Sequence, residues 1–273
     1  MKKWIILLLP FALWSCEDVV DLELPEGESL LVVDGQITDR QGDTRVLLTR
    51  SVPYFDEEGN PPVEGAIIEL FEDSSLVSTF LEVGLGRYIS TYTGVTGKSY
   101  HIEISLPDGS TYSSMAEILP RVPPIDSVYY RFETDLQFLE DGYYVYFATQ
   151  ELEGQPEFYR WKFYFNGDYQ NSQFDINIAN DDFVDGNYVV DFAVDFEPFN
   201  IGDTVTVEQY STTRSYYDYW VLIQTQVTQV GGPFDPPPAP VIGNMVRTDD
   251  SNEPVLGYFS AHGLSRESTI IQE

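Results

Sequence analysis

Between residues 29 and 118 short apolar runs recur at regular intervals. They fall at residues 30–33, 46–48, 66–71, 77–81, 87–89, 100–104 and 111–118. Turn residues separate them: Asp39-Arg40-Gln41-Gly42, Gly84-Leu85-Gly86, Thr96-Gly97-Lys98 and Pro107-Asp108-Gly109. The last is a strong hairpin signal, because proline presets one turn dihedral and glycine accepts positive φ. In residues 100–105, Tyr100, Ile102 and Ile104 alternate with His101, Glu103 and Ser105, which sends one set to a core and the other outward. About seven such strands with no helical period between them predict an antiparallel β-sandwich of immunoglobulin type over residues 29–118.

Residues 119–126 hold Pro120, Pro123 and Pro124. Proline cannot donate a ladder hydrogen bond, so this segment reads as a stiff linker and a domain boundary. Residues 127–273 read as a larger β-rich domain. Aromatic-rich strands are predicted at 127–132, 143–149, 157–166, 188–196 and 204–209. Then the period changes. Trp220, Ile223, Val227 and Val230 recur at three- and four-residue steps, one face of a helix near 215–230. Ser215 is placed to cap its start, and Gly231-Gly232-Pro233 to end it. With no second helix to receive it, the apolar stripe must lie on a sheet. A proline-rich loop follows to Met245. Two last strands, 255–260 and 269–271, are expected to pair as a hairpin.

The N-terminus has a different pattern. Lys2 and Lys3 precede an apolar run over residues 4–14, followed by Ser15 and Cys16. A charged start, a short apolar stretch and a small residue before a cut site make an export signal. Leu13-Trp14-Ser15-Cys16 resembles a bacterial lipobox, with residues 1–15 as the signal peptide and Cys16 as the acylated new N-terminus. The run is shorter than the roughly 20 residues that cross a bilayer. The expectation is attachment through lipid, with an acidic tether over residues 16–28. Cys16 is the only cysteine, so no disulfide forms within one chain. Glu17-Asp18 resembles the acidic signal that sends some lipoproteins to the cell surface.

Composition supports a packed β body. The chain of 273 residues is 42% hydrophobic and 15% aromatic, with 19 Tyr and 17 Phe, residue types that favour strands. Its net charge is −31, and loss of Lys2 and Lys3 with the leader makes the remainder more acidic still. Such a field disfavours nucleic acid and anionic lipid headgroups as partners.

Candidate chemistry is sparse. His101 reads as a surface residue, and His262, beside Gly263, as part of a turn. There is no Gly-x-Ser-x-Gly elbow and no glycine-rich phosphate loop before a helix. The expectation is a non-catalytic protein without a cofactor. The 45 acids leave open a carboxylate-dependent hydrolase, which needs two carboxyls facing each other across a cleft. Asp181, Asp182 and Asp185 cluster oxygen ligands for calcium, although Phe183 interrupts the alternation that an EF-hand loop requires. Tyr143, Tyr144, Tyr216 and Tyr217 are the candidate ligand-contact aromatics. Adjacent strand residues point to opposite faces, so one ring of each pair is expected outside. Trp161 and Trp220 are expected in the core.

The C-terminal third carries a further pattern. Tyr217, Tyr219 and Trp220 are followed by Gly231-Gly232-Pro233-Phe234, by Gly243-Asn244-Met245 and by Val255-Leu256-Gly257-Tyr258-Phe259-Ser260. Together with Leu31-Val32-Val33-Asp34-Gly35 and Val63-Glu64-Gly65-Ala66, this order resembles an uncharacterised Bacteroidetes lipoprotein family, domain of unknown function 4249. The resemblance implies a lipoprotein of the outer membrane, displayed on the cell surface, often encoded beside a TonB-dependent receptor. It brings no catalytic or ligand residues. The reading that follows is a lipid-anchored accessory to such a receptor in capture or uptake of a small nutrient. A structural or adhesive surface module and the secreted hydrolase are the alternatives.

Overall fold

The computed structural model describes residues 29–53, 56, 59–154, 156–182, 186–228, 241–249 and 253–273. The signal peptide, the tether, Cys16 and Asp185 lie outside the described residues.

In the first half, strands run β1 (Leu31–Thr38), β2 (Thr44–Arg50), β3 (Ile67–Glu72), β4 (Ser75–Thr79), β5 (Leu81–Gly84), β6 (Arg87–Ser90), β7 (Ser99–Ser105), β8 (Thr111–Ser114) and β9 (Glu117–Ile118). They form two layers. One holds β1-β2-β6-β5 and the other β8-β7-β3-β4, with β9 on β7. This is the two-sheet partition of an immunoglobulin-type sandwich. The alternation read from residues 100–105 is realised, with Tyr100, Ile102 and Ile104 buried. They meet Val33, Leu48, Ile68 and Leu70 from both layers in one core. Each such aliphatic side chain contributes about 1.5–3 kcal/mol on burial, and truncating Ile102 to alanine would cost roughly 2–5 kcal/mol.

The second half runs β10 (Ile125–Glu133), β11 (Gly142–Gln150), β12 (Phe158–Phe165), β13 (Asp168–Tyr169), β14 (Asn177–Asn180), β15 (Tyr188–Ala193), β16 (Thr204–Thr212), α1 (Arg214–Thr228), β17 (Met245–Arg247) and β18 (Leu256–Ile270). A three-stranded sheet, β10-β11-β15, packs on one face of β12 and β16. Phe147, Trp161, Phe163, Val205 and Val207 fill that second core. Trp161 is a core residue as expected, and its Nε1 donates to Gln209 Oε1 at 2.9 Å.

The predicted C-terminal hairpin is not present. Residues 256–270 form one 15-residue strand. Its first part pairs in parallel with β1, from Val32↔Leu256 to Thr38↔His262. Its second part pairs antiparallel with β16, from Ser211↔Gly263 to Thr204↔Ile270. The hairpin reading mistook Gly263 for a turn. Its role is close approach: a Cβ there would lie 2.7 Å from the Pro120 carbonyl oxygen and 2.8 Å from Val122 Cβ. His262 is correspondingly no turn residue but is 1% exposed in mid-strand.

Because β18 serves both halves, a nine-stranded sheet runs through the whole molecule in the order β13-β12-β16-β18-β1-β2-β6-β5, with β14 on β12. Residues 119–126 separate two cores in sequence. In space the division differs: Met245, Phe259 and Ala261 return to the first core, and β17 pairs with β8. Helix α1 lies on the face of this sheet opposite β10-β11-β15. It starts one residue before the predicted cap, at Arg214. Thr213 precedes it, and its Oγ1 accepts the Tyr216 amide at 3.3 Å, the bond of an N-cap to the third helical residue. Ser215 lies inside the helix. Among the described residues no helix is long and apolar enough to cross a membrane.

Candidate functional site

The site begins with the alternation of β12. Tyr159, Trp161 and Phe163 face the second core. Pleating therefore turns Arg160 and Lys162 to the other face, where α1 and the segment after β13 cover them. The result is a pocket of about 450 Å³, within the range that small-molecule sites occupy.

Its floor is the nine-stranded sheet. Arg45, Asp34, Gln36, Arg160, Lys162 and Tyr258 line it. Its roof is α1, which contributes Tyr216, Tyr219, Trp220, Ile223 and Val227. One wall is residues 171–176 with Tyr169. Gln224 Nε2 ties roof to wall by donating to the Ile176 carbonyl at 3.1 Å. Gly257 forms part of the lining at φ 93°. A Cβ there would sit 1.9 Å from the Val33 carbonyl oxygen, so only glycine admits the strand at this point.

Glu117 fixes the roof to the sandwich. It is 4% exposed, and its carboxylate accepts from Tyr258 at 2.5 Å, from Ser215 at 3.0 Å and from Thr213. Those donors come from β18 and the start of α1, so one acid holds the helix to the sheet. The hydrogen bond and burial both push the Tyr258 hydroxyl's pKa up, burial more.

Electrostatically the pocket inverts the rest of the chain. Three of the 14 Lys and Arg residues line it, with only Asp34 and Asp175 as acids, in a chain of net charge −31. The Arg160 guanidinium is stacked 3.4 Å from the centroid of Trp220. It donates to Tyr216 Oη at 2.9 Å and Tyr169 Oη at 3.3 Å. Lys162 Nζ lies 4.6 Å from the Tyr210 ring and 5.9 Å from the Tyr169 ring. Burial lowers the Lys162 pKa to about 7, aided by the positive charges of Arg160 and Arg45. Burial holds His262, whose ring packs edge-on to Tyr216 and Tyr210, well below the usual histidine range. Burial pushes Tyr219 up to about 12.

Of the four candidate aromatics, only Tyr216 lines this pocket. Tyr217, next to it on the helix, packs 5.2 Å from Phe158. Tyr143 sits edge-on to Tyr130 and Phe132 in the other sheet. Tyr144 points away from that core yet is 2% exposed, its hydroxyl donating to the Glu140 carbonyl at 2.7 Å. The expected outward ring of this pair is thus covered by the β10–β11 loop. Trp220, expected in the core, lies in the pocket roof.

Asp181 and Asp182 do not meet a shared centre: Asp181 is buried with its amide on the Glu157 carbonyl, and Asp182 accepts from Asn180 Nδ2 at 2.8 Å. Asp185 is outside the described residues, among which no cluster of three His, Cys, Asp or Glu is set to hold a metal. Glu151 and Glu157 form a close carboxylate pair, both accepting from Tyr159 Oη. Burial raises both their pKa values.

Sequence reasoning missed Arg160 and Lys162. The available signal was two cations at alternate positions of an aromatic strand, in a chain poor in cations. That pattern reads as a solvated strand face until the helix is seen to cover it.

A family described as Domain of unknown function (DUF4249) matches residues 17–268. No curated protein matches the chain. Among solved structures, the fibronectin(III)-like modules of Clostridium thermocellum CbhA are similar at 10% identity. That likeness covers 67% of this chain and 85% of theirs, with a TM-score of 0.23.

Proposed function

The chain belongs to the DUF4249 family, and from that premise we propose that it is a non-catalytic lipoprotein of the cell envelope. It is anchored to the outer membrane through Cys16, displayed on the cell surface, and binds a small molecule in the pocket beneath α1. It serves a TonB-dependent receptor as an accessory in capture or uptake. The observation that carries this reading is the pocket: a preformed hollow of about 450 Å³ roofed by aromatic side chains. The lipobox-like Leu13-Trp14-Ser15-Cys16 supports the anchor.

The test is photo-crosslinking in intact cells from a probe placed at an exposed position, with mass-spectrometric identification of what attaches. The reading expects a TonB-dependent receptor among the products, and impaired uptake of that receptor's cargo when the chain is deleted. Recovery of no receptor, with uptake unchanged, overturns it.

A further inference from the structure

The geometry points to a small organic anion as the pocket's ligand, with its ionised head between Arg160 and Lys162 and its apolar remainder along Ile176, Ile223 and Val227. This rests on the pocket being the functional site and adds the chemical class of what enters it.

The first argument is the state of the two cations. They sit two residues apart on one strand face, about 7 Å along the chain. Among the described residues neither forms an ion pair. Arg160 is 9% exposed and has five N–H donors in its fork, of which two meet tyrosine hydroxyls. Aromatic faces stabilise a cation but accept its hydrogen bonds poorly, so donors on both groups remain open. Burying charge without an opposite charge is costly. A purely structural site would be expected to supply a carboxylate.

The second argument is that two of the three nearby acids are already engaged. Glu208 lies directly across from Lys162 on β16. Its carboxylate is taken up by Arg266, by Tyr210 at 2.6 Å and by Tyr164 at 3.1 Å. Asp175 accepts the Ser172 amide at 2.7 Å within its own loop. Asp34, exposed on β1, is the one acid of the lining whose charge reaches Arg160 and Lys162 without an ion pair to either, and Arg45 on the floor is paired with Asp43 at 3.8 Å. The third argument is shape. The roof beyond Trp220 is apolar, which suits a ligand with a hydrocarbon or aryl body and one charged end. The charge of the whole chain opposes anions, so selectivity has to come from these local cations.

Proton linkage supplies a signature that a merely sticky pocket lacks. Lys162 is held near pKa 7 by burial and by Arg160 and Arg45, against the opposing charges of Asp34 and Glu208. The phenols of Tyr210 and Tyr169 face it, both raised by burial and therefore neutral, and the buried His262, which packs on Tyr210, is neutral. An anion at the site favours the protonated amine. At about pH 8 the free amine is mostly neutral, so binding takes up most of one proton, about 0.8 if the bound value reaches 9.

The experiment titrates the lipid-free mature chain with 4-phenylbutyrate and, in parallel, with its neutral counterpart 4-phenylbutanol, by calorimetry at about pH 8 in buffers of different ionisation enthalpy. We expect the acid to bind at least about tenfold more tightly than the alcohol, with proton uptake for the acid alone. Lys162→Met, which replaces a partly buried charged side chain by one of similar length, should abolish the uptake and at least most of that preference. Equal affinity for acid and alcohol overturns the anion assignment while leaving the pocket as the site. Absence of acid binding at millimolar concentration overturns it as well, as does binding of the acid unchanged in Lys162→Met. Acid binding together with no receptor in the cellular crosslinks would overturn the accessory role and leave the anion assignment standing.

Discussion

Glu117 joins the first sandwich to the helix that roofs the pocket, and its removal gives the sharpest test of how that roof is held. Glu117→Ala takes the shared acceptor from Tyr258, Ser215 and Thr213. Thr213 and Ser215 lie 3.0 Å from each other near solvent, so they can re-pair or turn to water. The Tyr258 hydroxyl is buried, so without the acid it is either left unpaired or competes for the same Ser215 and Thr213 hydroxyls. An orphaned buried donor costs about 1–3 kcal/mol. Loss of a carboxylate at a helix N-terminus adds about 0.3–1 kcal/mol. Relief from burying a charge offsets part of this. The net destabilisation should be about 2–3 kcal/mol, a drop in Tm of roughly 4–12 °C for a chain of this size. Glu117→Gln keeps one acceptor and should lose less than half as much. Urea unfolding gives the total, and hydrogen exchange of residues 214–228 shows where it falls. If the Ala variant lies within about 0.5 kcal/mol of the parent, or if helix protection is unchanged, the carboxylate does not anchor the roof.

Three further outcomes follow from particular residues. Gly257→Ala forces a Cβ to 1.9 Å from the Val33 carbonyl at φ 93°, so it should destabilise by more than about 3 kcal/mol; a soluble variant with parental Tm would contradict the close approach. Glu151→Gln should raise Tm measurably at about pH 7.5. Burial raises the folded pKa of this acid above its unfolded value, so ionisation destabilises the fold as pH rises, and the gain from the amide should vanish as pH falls below the ordinary carboxylate range; an equal gain at acidic pH would refute that origin. Cys16→Ser should release the chain from membranes on fractionation and remove acyl mass from its N-terminus; continued membrane association without acylation would exclude the lipid anchor.

Local pattern carried the fold further than the site. The alternation at Tyr100, Ile102 and Ile104 and the turn at Pro107-Asp108-Gly109 fix a strand and its hairpin within a few residues, so the first sandwich was readable. The helix was readable too, because Trp220, Ile223 and Val227 share a period no strand has. The long β18 was not. Its two halves pair with strands far apart in sequence, and Gly263 looks the same in a turn as under a crossing segment. The pocket was hidden for the same reason. Arg160 and Lys162 alternate with core aromatics as solvent-facing residues would. Only long-range pairing of β12 with β16, and the seating of α1 on Glu117, turns that face into an interior. Tyr216 alone among the chosen tyrosines lines it, because helical placement, which adjacency in sequence does not reveal, aims it downward.

The amine of Lys162 is the most direct witness to a binding site built from covered cations that form no ion pair. Beyond the leader the chain has two lysines, Lys98 and Lys162, so carbon-detected titration of isotopically labelled lysine gives two assignable signals. Lys98, paired with Asp73 at 2.7 Å, should stay protonated well above neutrality, whereas Lys162 should titrate near 7 in the free protein and move up by at least about two units when saturated with 4-phenylbutyrate. A Lys162 amine that titrates at the ordinary lysine value of about 10.4 in the free protein, or one that ignores the anion, would contradict the account.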